Sequence, residues 1–360
     1  MIVIAFDASM DAYEAWLRAR LGEDLREDDL AEKHRKMAKG PFAFLRATYW
    51  RWAETILEIC PDLAEAPAVL AIGDIHLENF GTWRDAEGRL VWGVNDFDEA
   101  ATMPAVLDPL RLAVSAMLAG KVPAETVCDA IAAGYAAGLE APGATVLESG
   151  QGWLRKALLP PEEERDGFWT KLAAPAEAIP PAYAAALRDA LPPDATDVRT
   201  FPRSAGTGSL GRPRFVALAT WRNGPVAREA KAMLPPAWSL HHGGAAAIRA
   251  GEIAAGRYRA PDPCYRTGAG DGIATRRLSP DSRKIEAKGD PERFLARDML
   301  VAMGHDIASC HAGDAGALAA VREDWRGRPR GWLAAAATIA ARAVTRDQDA
   351  FEHACGRGRR

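Results

Sequence analysis

The sequence is poor in features that would place it outside the cytoplasm. Its five cysteines lie far apart and form no C-x-x-C pair, so neither a disulfide framework nor a zinc knuckle is expected. The formal net charge is only -4, which removes a general electrostatic argument for binding nucleic acid or an anionic membrane. No apolar run is long enough to cross a bilayer, and the apolar start is too short for a signal peptide. We therefore expect a cytoplasmic protein whose partners include neither nucleic acid nor a membrane.

The pattern of apolar residues predicts an α+β fold. Apolar positions recur every three or four residues over 11–59, which is typical of helices, here two of them broken near Gly40-Pro41. "PAVLAIGD" and "LVWGVNDFD" are typical of short strands joined by a polar turn. Strand-like runs flank a glycine cluster over 197–234, with a hairpin signal at Asn223-Gly224, and predict a small three-stranded unit. With 360 residues, we expect more than one structural unit: a helical lobe over 1–195, a small antiparallel β lobe over 196–290, and helices returning to the large lobe over 291–360.

Two acidic clusters stand where the two predicted strands end. "GDIHLENFG" contains Asp74, His76 and Asn79, and "NDFDEA" contains Asp96 and Asp98. Ionised carboxylates at this density repel one another, so an ordered site made of them needs a cation or a shared proton. In kinases a catalytic Asp is followed five residues later by a metal-binding Asn, and a later Asp-Phe dipeptide holds magnesium. The spacing of both clusters fits that scheme.

A glycine cluster later in the chain supplies the other half of such a scheme. Gly206, Gly208 and Gly211 form G-x-G-x-x-G, which alone is a weak signal. A dinucleotide fingerprint would precede a helix, whereas "RPRFVALATW" is strand-like, as after a kinase phosphate-covering loop. Lys231 lies beyond the hairpin, where kinases carry the lysine that holds the nucleotide phosphates. We predict that this loop, including Ser209, and Lys231 bind a nucleotide.

These motifs resemble a known bacterial family. "GDIHLENFG", "NDFDEA", "LDPLRLA" and "KMAKGPFAFLRA" are similar to the bacterial family called domain of unknown function 2252, and more distantly to aminoglycoside and choline-type phosphotransferases. The resemblance implies a two-lobed protein-kinase-like fold that is circularly permuted, because the acidic motifs precede the glycine loop. Such a permutation is physically allowed because chain termini often lie close together.

The resemblance also implies roles for single residues. Asp74 would be the catalytic base, Lys231 the phosphate clamp, and His76 a brace for the catalytic loop. The metal ligands would be Asn79 and Asp96, with Asp98 touching a second metal, and residues 206–211 would form a lid. Asp108, in "LDPLRLA", would be structural.

Other charged residues leave open questions. The glutamate expected to pair with Lys231 is Glu252, since Glu229 lies on the same short strand as the lysine. The acidic residues near the site, which are Glu78, Asp98 and Glu99, favour a cationic acceptor. The basic residues of "TRRLSPDSRK" are interpreted as a charged loop face rather than a phosphate site.

The leading functional hypothesis is an ATP- and Mg²⁺-dependent phosphotransferase acting on a hydroxyl of a small molecule. One alternative keeps the nucleotide site without phosphoryl transfer, as a regulatory protein or an enzyme that transfers AMP. A weaker alternative is a metal-dependent hydrolase built on His76, Glu78, Asp96 and Asp98, which would leave the glycine loop and Lys231 unexplained. The acceptor and the oligomeric state are not predicted.

Overall fold

A computed structural model describes residues 4–159, 161–204, 206–243, 246–268, 272–284 and 291–357. The predicted α+β class with antiparallel sheets is confirmed. The first half of the described chain contains α1 (Phe6–Leu21), α2 (Glu27–Met37), α3 (Pro41–Ala47), α4 (Tyr49–Ile59), β1 (Ala68–Ala71), β2 (Phe80–Arg84), β3 (Leu90–Val94), β4 (Ala101–Pro104), α5 (Leu107–Ala119), α6 (Ala124–Glu140), β5 (Thr145–Val146), α7 (Gly152–Leu158), α8 (Glu162–Leu172) and α9 (Pro181–Ala190). The second half contains β6 (Thr196–Pro202), β7 (Arg214–Trp221), β8 (Gly224–Ala232), α10 (Ala237–His242), α11 (Ala250–Ala254), β9 (Arg266–Thr267), β10 (Ile273–Leu278), β11 (Arg283–Lys284), α12 (Pro291–Phe294), α13 (Arg297–His311), α14 (Leu318–Gly327) and α15 (Trp332–Arg357).

The N-terminal helical region has four α-helices where two were predicted. Gly22 follows the end of α1 with φ +52°, a left-handed conformation that glycine adopts at little cost. Gly40, with φ +135°, precedes α3, and Pro41 occupies its first turn, where a missing N–H costs nothing. Thr48 separates α3 from α4. The predicted break near Gly40-Pro41 is thus present, and the additional breaks shorten the remaining helices.

The acidic motifs lie on two small antiparallel sheets. β1 pairs with β4, and β2 pairs with β3 in a four-stranded sheet of order β11-β2-β3-β5. The prediction that "PAVLAIGD" joins "LVWGVNDFD" through one turn is therefore wrong, because "FGTWR" forms the intervening strand β2. That strand has no strict alternation, since Phe80 to Trp83 are all buried, and a strand buried on both faces gives no period-2 signal.

The glycine-rich region forms a five-stranded antiparallel sheet rather than a three-stranded unit. Its order is β6-β7-β8-β10-β9. The turn between β7 and β8 consists of Arg222 (φ +46°) and Asn223 (φ +63°), a two-residue turn of the kind that hairpins favour. α8 and α9, which the predicted boundary at 195 assigns to the helical lobe, pack on this sheet: Phe168 and Trp169 against one apolar cluster, Tyr183 and Leu187 within another.

The C-terminal helices close the main hydrophobic core. α13 packs tightly on α6, where glycines let the two backbones approach: a Cβ on Gly134 would lie 2.0 Å from the carbonyl oxygen of Val301, and one on Gly304 would lie 2.3 Å from that of Ile131. α15 packs on α5 and α6. Within the described ranges, every helix is too short or too polar to traverse a bilayer.

Candidate functional site

The loop between β1 and β2 is held by one buried carboxylate. Asp108, at the start of α5, accepts hydrogen bonds from the backbone N–H groups of Ile72 (2.7 Å) and Gly73 (3.0 Å). His311 of α13 contacts the same carboxylate through Nε2 at 2.9 Å, and its Nδ1 lies 2.7 Å from the hydroxyl of Tyr135. Gly73 has φ +85°, so the chain turns sharply there and directs Asp74 into the space between the sheets. The loop position is thus set by a charged acceptor.

Asp74 is paired with an arginine that the sequence analysis missed. Arg111 NH2 donates to Asp74 Oδ1 at 2.7 Å and to the carbonyl oxygen of Leu45 at 2.8 Å. The guanidinium of Arg111 lies near the rings of Tyr49 and Trp52, and the residue is fully buried. Arg111 follows Asp108 by three positions on α5, which places both on one side of the helix. That spacing within "LDPLRLA" is the signal that could have identified it.

Asn79 presents a buried oxygen with no partner among the described residues. Its Nδ2 donates to the carbonyl oxygens of Asp74 (3.0 Å) and Asp96 (3.1 Å). Both partners can only accept, which assigns the nitrogen to that side of the amide. Oδ1 therefore faces the opposite side, where it is buried and unbonded. A buried polar atom without a partner is costly, so this oxygen is available to a ligand atom or an ion.

Lys231 joins the glycine-rich sheet to the second acidic motif. Its amine lies 3.2 Å from Asp96 Oδ1 and also forms an ion pair with Asp98. Burial by itself raises the pKa of Asp96, but the charges of Lys231, Lys284 and Arg276 outweigh it and hold this pKa well below its usual value. Burial and the charge of Asp96 raise the pKa of Asp98. The structure thus brings Asn79, Asp96, Asp98 and Lys231 together.

The glycine-rich loop covers this cluster. Gly206 and Gly211 have φ +76° and +95°, which side chains rarely tolerate. A Cβ on Gly208 would lie 3.1 Å from Asp74 Oδ2, so the loop passes directly over the predicted catalytic base. Ser209 Oγ accepts a hydrogen bond from Arg214 at 2.9 Å. Gly206, Gly208 and Ser209 therefore line the site, whereas Gly211 packs against Leu30 of α2.

His76 is buried within the loop between β1 and β2. Its Nδ1 accepts a hydrogen bond from the backbone N–H of Glu78, and its carbonyl oxygen accepts one from that of Asn79. Burial, followed by the charges of Arg46 and Lys284, holds the pKa of His76 well below its usual value. These two hydrogen bonds join His76 to the backbone of its own loop.

The predicted partner of Lys231 is not brought to it. Glu252, on α11, forms an ion pair with Arg249 at 2.6 Å and its side chain is 58% exposed. Glu229, set aside because it shares a strand with the lysine, is instead completely buried two residues before it on β8. Its oxygens contact three arginines, described below. The amine of Lys231 contacts Asp96 and Asp98 because the acidic loop, rather than a helix, faces β8.

The acidic residues around the site are neutralised. Glu78 pairs with Arg46 at 2.6 Å, Glu99 pairs with Arg212 at 2.7 Å, and Asp98 pairs with Lys231. Glu78 and Glu99 each have an arginine, and Asp98 shares Lys231 with Asp96, so these carboxylates present less net negative charge to a cationic acceptor than the sequence suggests.

Two adjoining cavities meet at this cluster. A small one of 40 Å³ lies between Asp74, Asn79, Asp96 and the glycine loop. A larger cleft of 1030 Å³ runs beneath the five-stranded sheet, a size that suits a small-molecule ligand. Lys284 of β11 lines both, and it forms no ion pair among the described residues.

Comparison with known proteins gives one match. Residues 26–142 match the model of a family described as "Uncharacterized protein conserved in bacteria (DUF2252)". The matched segment runs from α2 past the end of α6, so it includes both acidic motifs, Asp108 and Arg111, and it ends before the glycine loop and Lys231. No curated protein and no solved structure shows significant similarity to the chain.

Proposed function

We propose that the chain is an ATP- and Mg²⁺-dependent phosphotransferase with a kinase-like, permuted arrangement of motifs. The observation that carries this proposal is the contact between Lys231 and Asp96, which lie 135 positions apart and meet at 3.2 Å. In kinases the lysine on the third strand of the glycine-loop sheet and the metal-binding Asp act on the same phosphates. In this chain the glycine loop is followed by strand β7, a two-residue turn and strand β8, which carries Lys231. Lys231 contacts the second acidic motif, although that motif comes earlier in the chain.

The donor atoms present suit magnesium bound together with a nucleotide. Mg²⁺ prefers hard oxygen ligands and is usually held by one or two carboxylates plus substrate phosphates. Asp96, Asp98 and the unbonded Oδ1 of Asn79 supply two carboxylates and one amide oxygen. Among the described residues, no three His, Cys, Asp or Glu side chains form a metal cage of their own, so phosphate oxygens would have to complete the coordination of a metal here. When bound, the metal would neutralise charge on the transferred phosphoryl group.

Asp74 is the proposed proton acceptor. Its Oδ1 is engaged by Arg111, which fixes the carboxylate and leaves Oδ2 on the side of the glycine loop. A substrate hydroxyl there gives its proton to Asp74 as its oxygen forms a bond to the γ-phosphorus of ATP. The bond from that phosphorus to the bridging oxygen breaks, and ADP leaves with the electron pair. Lys231 holds the phosphates in place during this exchange.

The test is turnover of ATP by the purified chain with a panel of hydroxylated small molecules, followed by mass spectrometry of the products. Kinases turn over at about 1–100 s⁻¹ on their true substrate. Asp74→Asn is expected to lose about 10²–10⁴-fold in turnover, because a positioned base contributes about that factor, with ATP affinity retained. Asp129→Asn, at an exposed position of α6, is the matched control.

The product identifies which reaction occurs. Added phosphate supports the proposal. Added AMP would replace it with nucleotidyl transfer at the same site. Mg²⁺-dependent ATP binding without any product would make the chain a nucleotide-binding regulator, and metal binding without nucleotide binding would favour hydrolysis.

A further inference from the structure

Three arginines converge on one buried carboxylate in the wall of the larger cleft. Glu229 Oε2 contacts Arg203 NH1 at 2.7 Å, and Glu229 Oε1 contacts Arg214 NH1 and Arg276 Nε, each at 2.7 Å. The arginines come from the loop after β6, from β7 and from β10. The register of the sheet places Arg276 directly opposite Glu229 on the neighbouring strand. Glu229 has no solvent exposure, so its function is to hold the three guanidinium groups.

The cluster keeps an excess of positive charge. One carboxylate neutralises one of the three guanidinium groups, since an arginine stays protonated in proteins. The charges of Arg214, Arg276 and Arg203 overcome the burial of Glu229 and hold its pKa well below the usual value, so this carboxylate is ionised as well. A net charge of about two positive units therefore remains in the wall of the cleft.

Two of the arginines direct unused donors into the cleft. Arg203 contacts Glu229 only through NH1, and Arg276 only through Nε. Their remaining N–H groups form no hydrogen bond with any described residue. The side chains are 34% and 27% exposed, and both line the 1030 Å³ cleft. Arg214 differs, because its second nitrogen is used by Ser209 of the glycine loop.

Arg203 and Arg276 adjoin the proposed reaction centre. Both arginines line the same 1030 Å³ cleft as Asp96. Lys284 adds a further cation at the junction of the two cavities. The acidic residues that line the two cavities are all paired with cations: Glu78 with Arg46, Asp74 with Arg111, Glu99 with Arg212, Glu164 with Arg283 and Asp262 with Arg277, while Asp96 and Asp98 share Lys231. An anionic ligand group is thus favoured there by charge and by donor geometry.

We infer that Arg203 and Arg276, oriented by Glu229, form an anion subsite that binds a phosphate group of the ligand in this cleft. The inference assigns a ligand group to the proposed reaction. It rests on the proposed function only in that the cleft is taken as the ligand site of that reaction. The phosphate comes either from the nucleotide or from a phosphorylated acceptor. Planar guanidinium groups suit both, because their paired N–H donors match phosphate oxygens.

Binding of inorganic pyrophosphate tests the subsite without any catalysis. Isothermal titration is done at constant ionic strength with EDTA, so that metal plays no part. The double variant Arg203→Gln/Arg276→Gln is expected to bind pyrophosphate at least about tenfold more weakly than wild type, since each charge-assisted hydrogen bond contributes about that factor. The matched control is Arg199→Gln/Arg266→Gln, which removes two exposed arginines of the same sheet and is expected to bind as wild type does.

Single variants keep the test usable if the double variant does not fold. Arg203→Gln and Arg276→Gln each leave Glu229 with two arginines, and each is expected to weaken pyrophosphate binding. Unchanged affinity in folded variants, a loss no larger than that of the control, or no pyrophosphate binding by wild type would overturn the inference.

Nucleotide binding then distinguishes a phosphate of the nucleotide from a phosphate of the acceptor. If the subsite takes a phosphate of the nucleotide, the arginine variants also lose affinity for Mg²⁺-ATP but not for adenosine. If it takes a phosphate of the acceptor, they bind Mg²⁺-ATP normally, and pyrophosphate still binds to wild type saturated with Mg²⁺-ATP. Failure of the proposed function gives a different pattern: pyrophosphate binding that depends on the arginines, with no Mg²⁺-dependent ATP binding at all.

Discussion

Replacing Asp108 by asparagine is expected to disrupt the loop between β1 and β2 at its base. The carboxylate accepts from the amides of Ile72 and Gly73 and from Nε2 of His311, and it is 1% exposed. An asparagine has one acceptor oxygen, so its amide group must face at least one of these N–H donors. The better orientation places the oxygen toward Ile72 and His311 and leaves the N–H of Gly73 unbonded. An orphaned buried donor costs about 1–3 kcal/mol, and the two remaining bonds lose their charge assistance. We expect Asp108→Asn to lower the free energy of unfolding by about 2–4 kcal/mol.

Urea denaturation followed by circular dichroism measures this loss. Asp129→Asn makes the same chemical change at an exposed position of α6 and is expected to change the free energy by less than about 0.5 kcal/mol. If Asp108→Asn were as mild as this control, the three hydrogen bonds would not stabilise the loop, and the reasoning would be refuted.

Two further predictions concern the surroundings of the same loop. Both Gly73 and Gly88 have positive φ, but a Cβ on Gly73 would lie 2.4 Å from the carbonyl oxygen of Glu99, whereas one on Gly88 would meet nothing. Gly73→Ala is therefore expected to lower the free energy of unfolding, measured by urea denaturation, by about 1–3 kcal/mol more than Gly88→Ala does. Equal losses would contradict the close approach. Lys33 is the second case, because burial and the charge of Arg212 lower its pKa from 10.5 to about 8. Between about pH 8 and pH 10.5 the unfolded chain binds more protons at this lysine than the folded chain does. The free energy of unfolding of wild type, relative to that of Lys33→Met, is therefore expected to rise by about 1 kcal/mol per pH unit. A constant difference over that interval would show that the lysine is not desolvated.

The acidic motifs could be predicted because their information is local. Asp74 with Asn79, and Asp96 with Asp98, stand at short spacings directly after apolar runs. The meeting of these motifs with Lys231 could be expected only through the kinase scheme, since no local pattern specifies a contact across 135 positions. Arg111 was missed because "LDPLRLA" was interpreted only for Asp108, although a spacing of three places the arginine on the same side of the helix.

Glu229 illustrates why the charge pattern of a strand is hard to interpret. In "GPVAREAKA" the charged residues Arg228, Glu229 and Lys231 suggest a solvated edge, yet all three are buried. Glu229 is buried because arginines from three separate segments surround it. That arrangement depends on the pairing of β8 with β7, which the hairpin signal predicted, and on its pairing with β10, which the predicted three-stranded unit did not contain. The interpretation of Arg276 as part of a solvated face failed for the same reason.

The fold class was predictable from periodicity, while the division into elements was less so. β2 was missed because both of its faces are buried. β9 and β10 were missed because "YRTGAGDGIATRRL" mixes turn residues with charged ones. β10 forms by pairing with β8, and β9 by pairing with β10. Such tertiary pairing routinely overrides local propensity.

The most direct test of the proposed reaction centre is the binding of ATP as a function of Mg²⁺ in wild type and in Asp96→Asn. Calorimetric titration of wild type is expected to show ATP affinity that rises with Mg²⁺, because Asp96 and Asn79 would hold the metal against the phosphates. Asp96→Asn is expected to lose that Mg²⁺ dependence, while its unfolding in urea stays cooperative. ATP binding by wild type that ignores Mg²⁺, or an Asp96→Asn variant that retains the full dependence, would contradict the central claim.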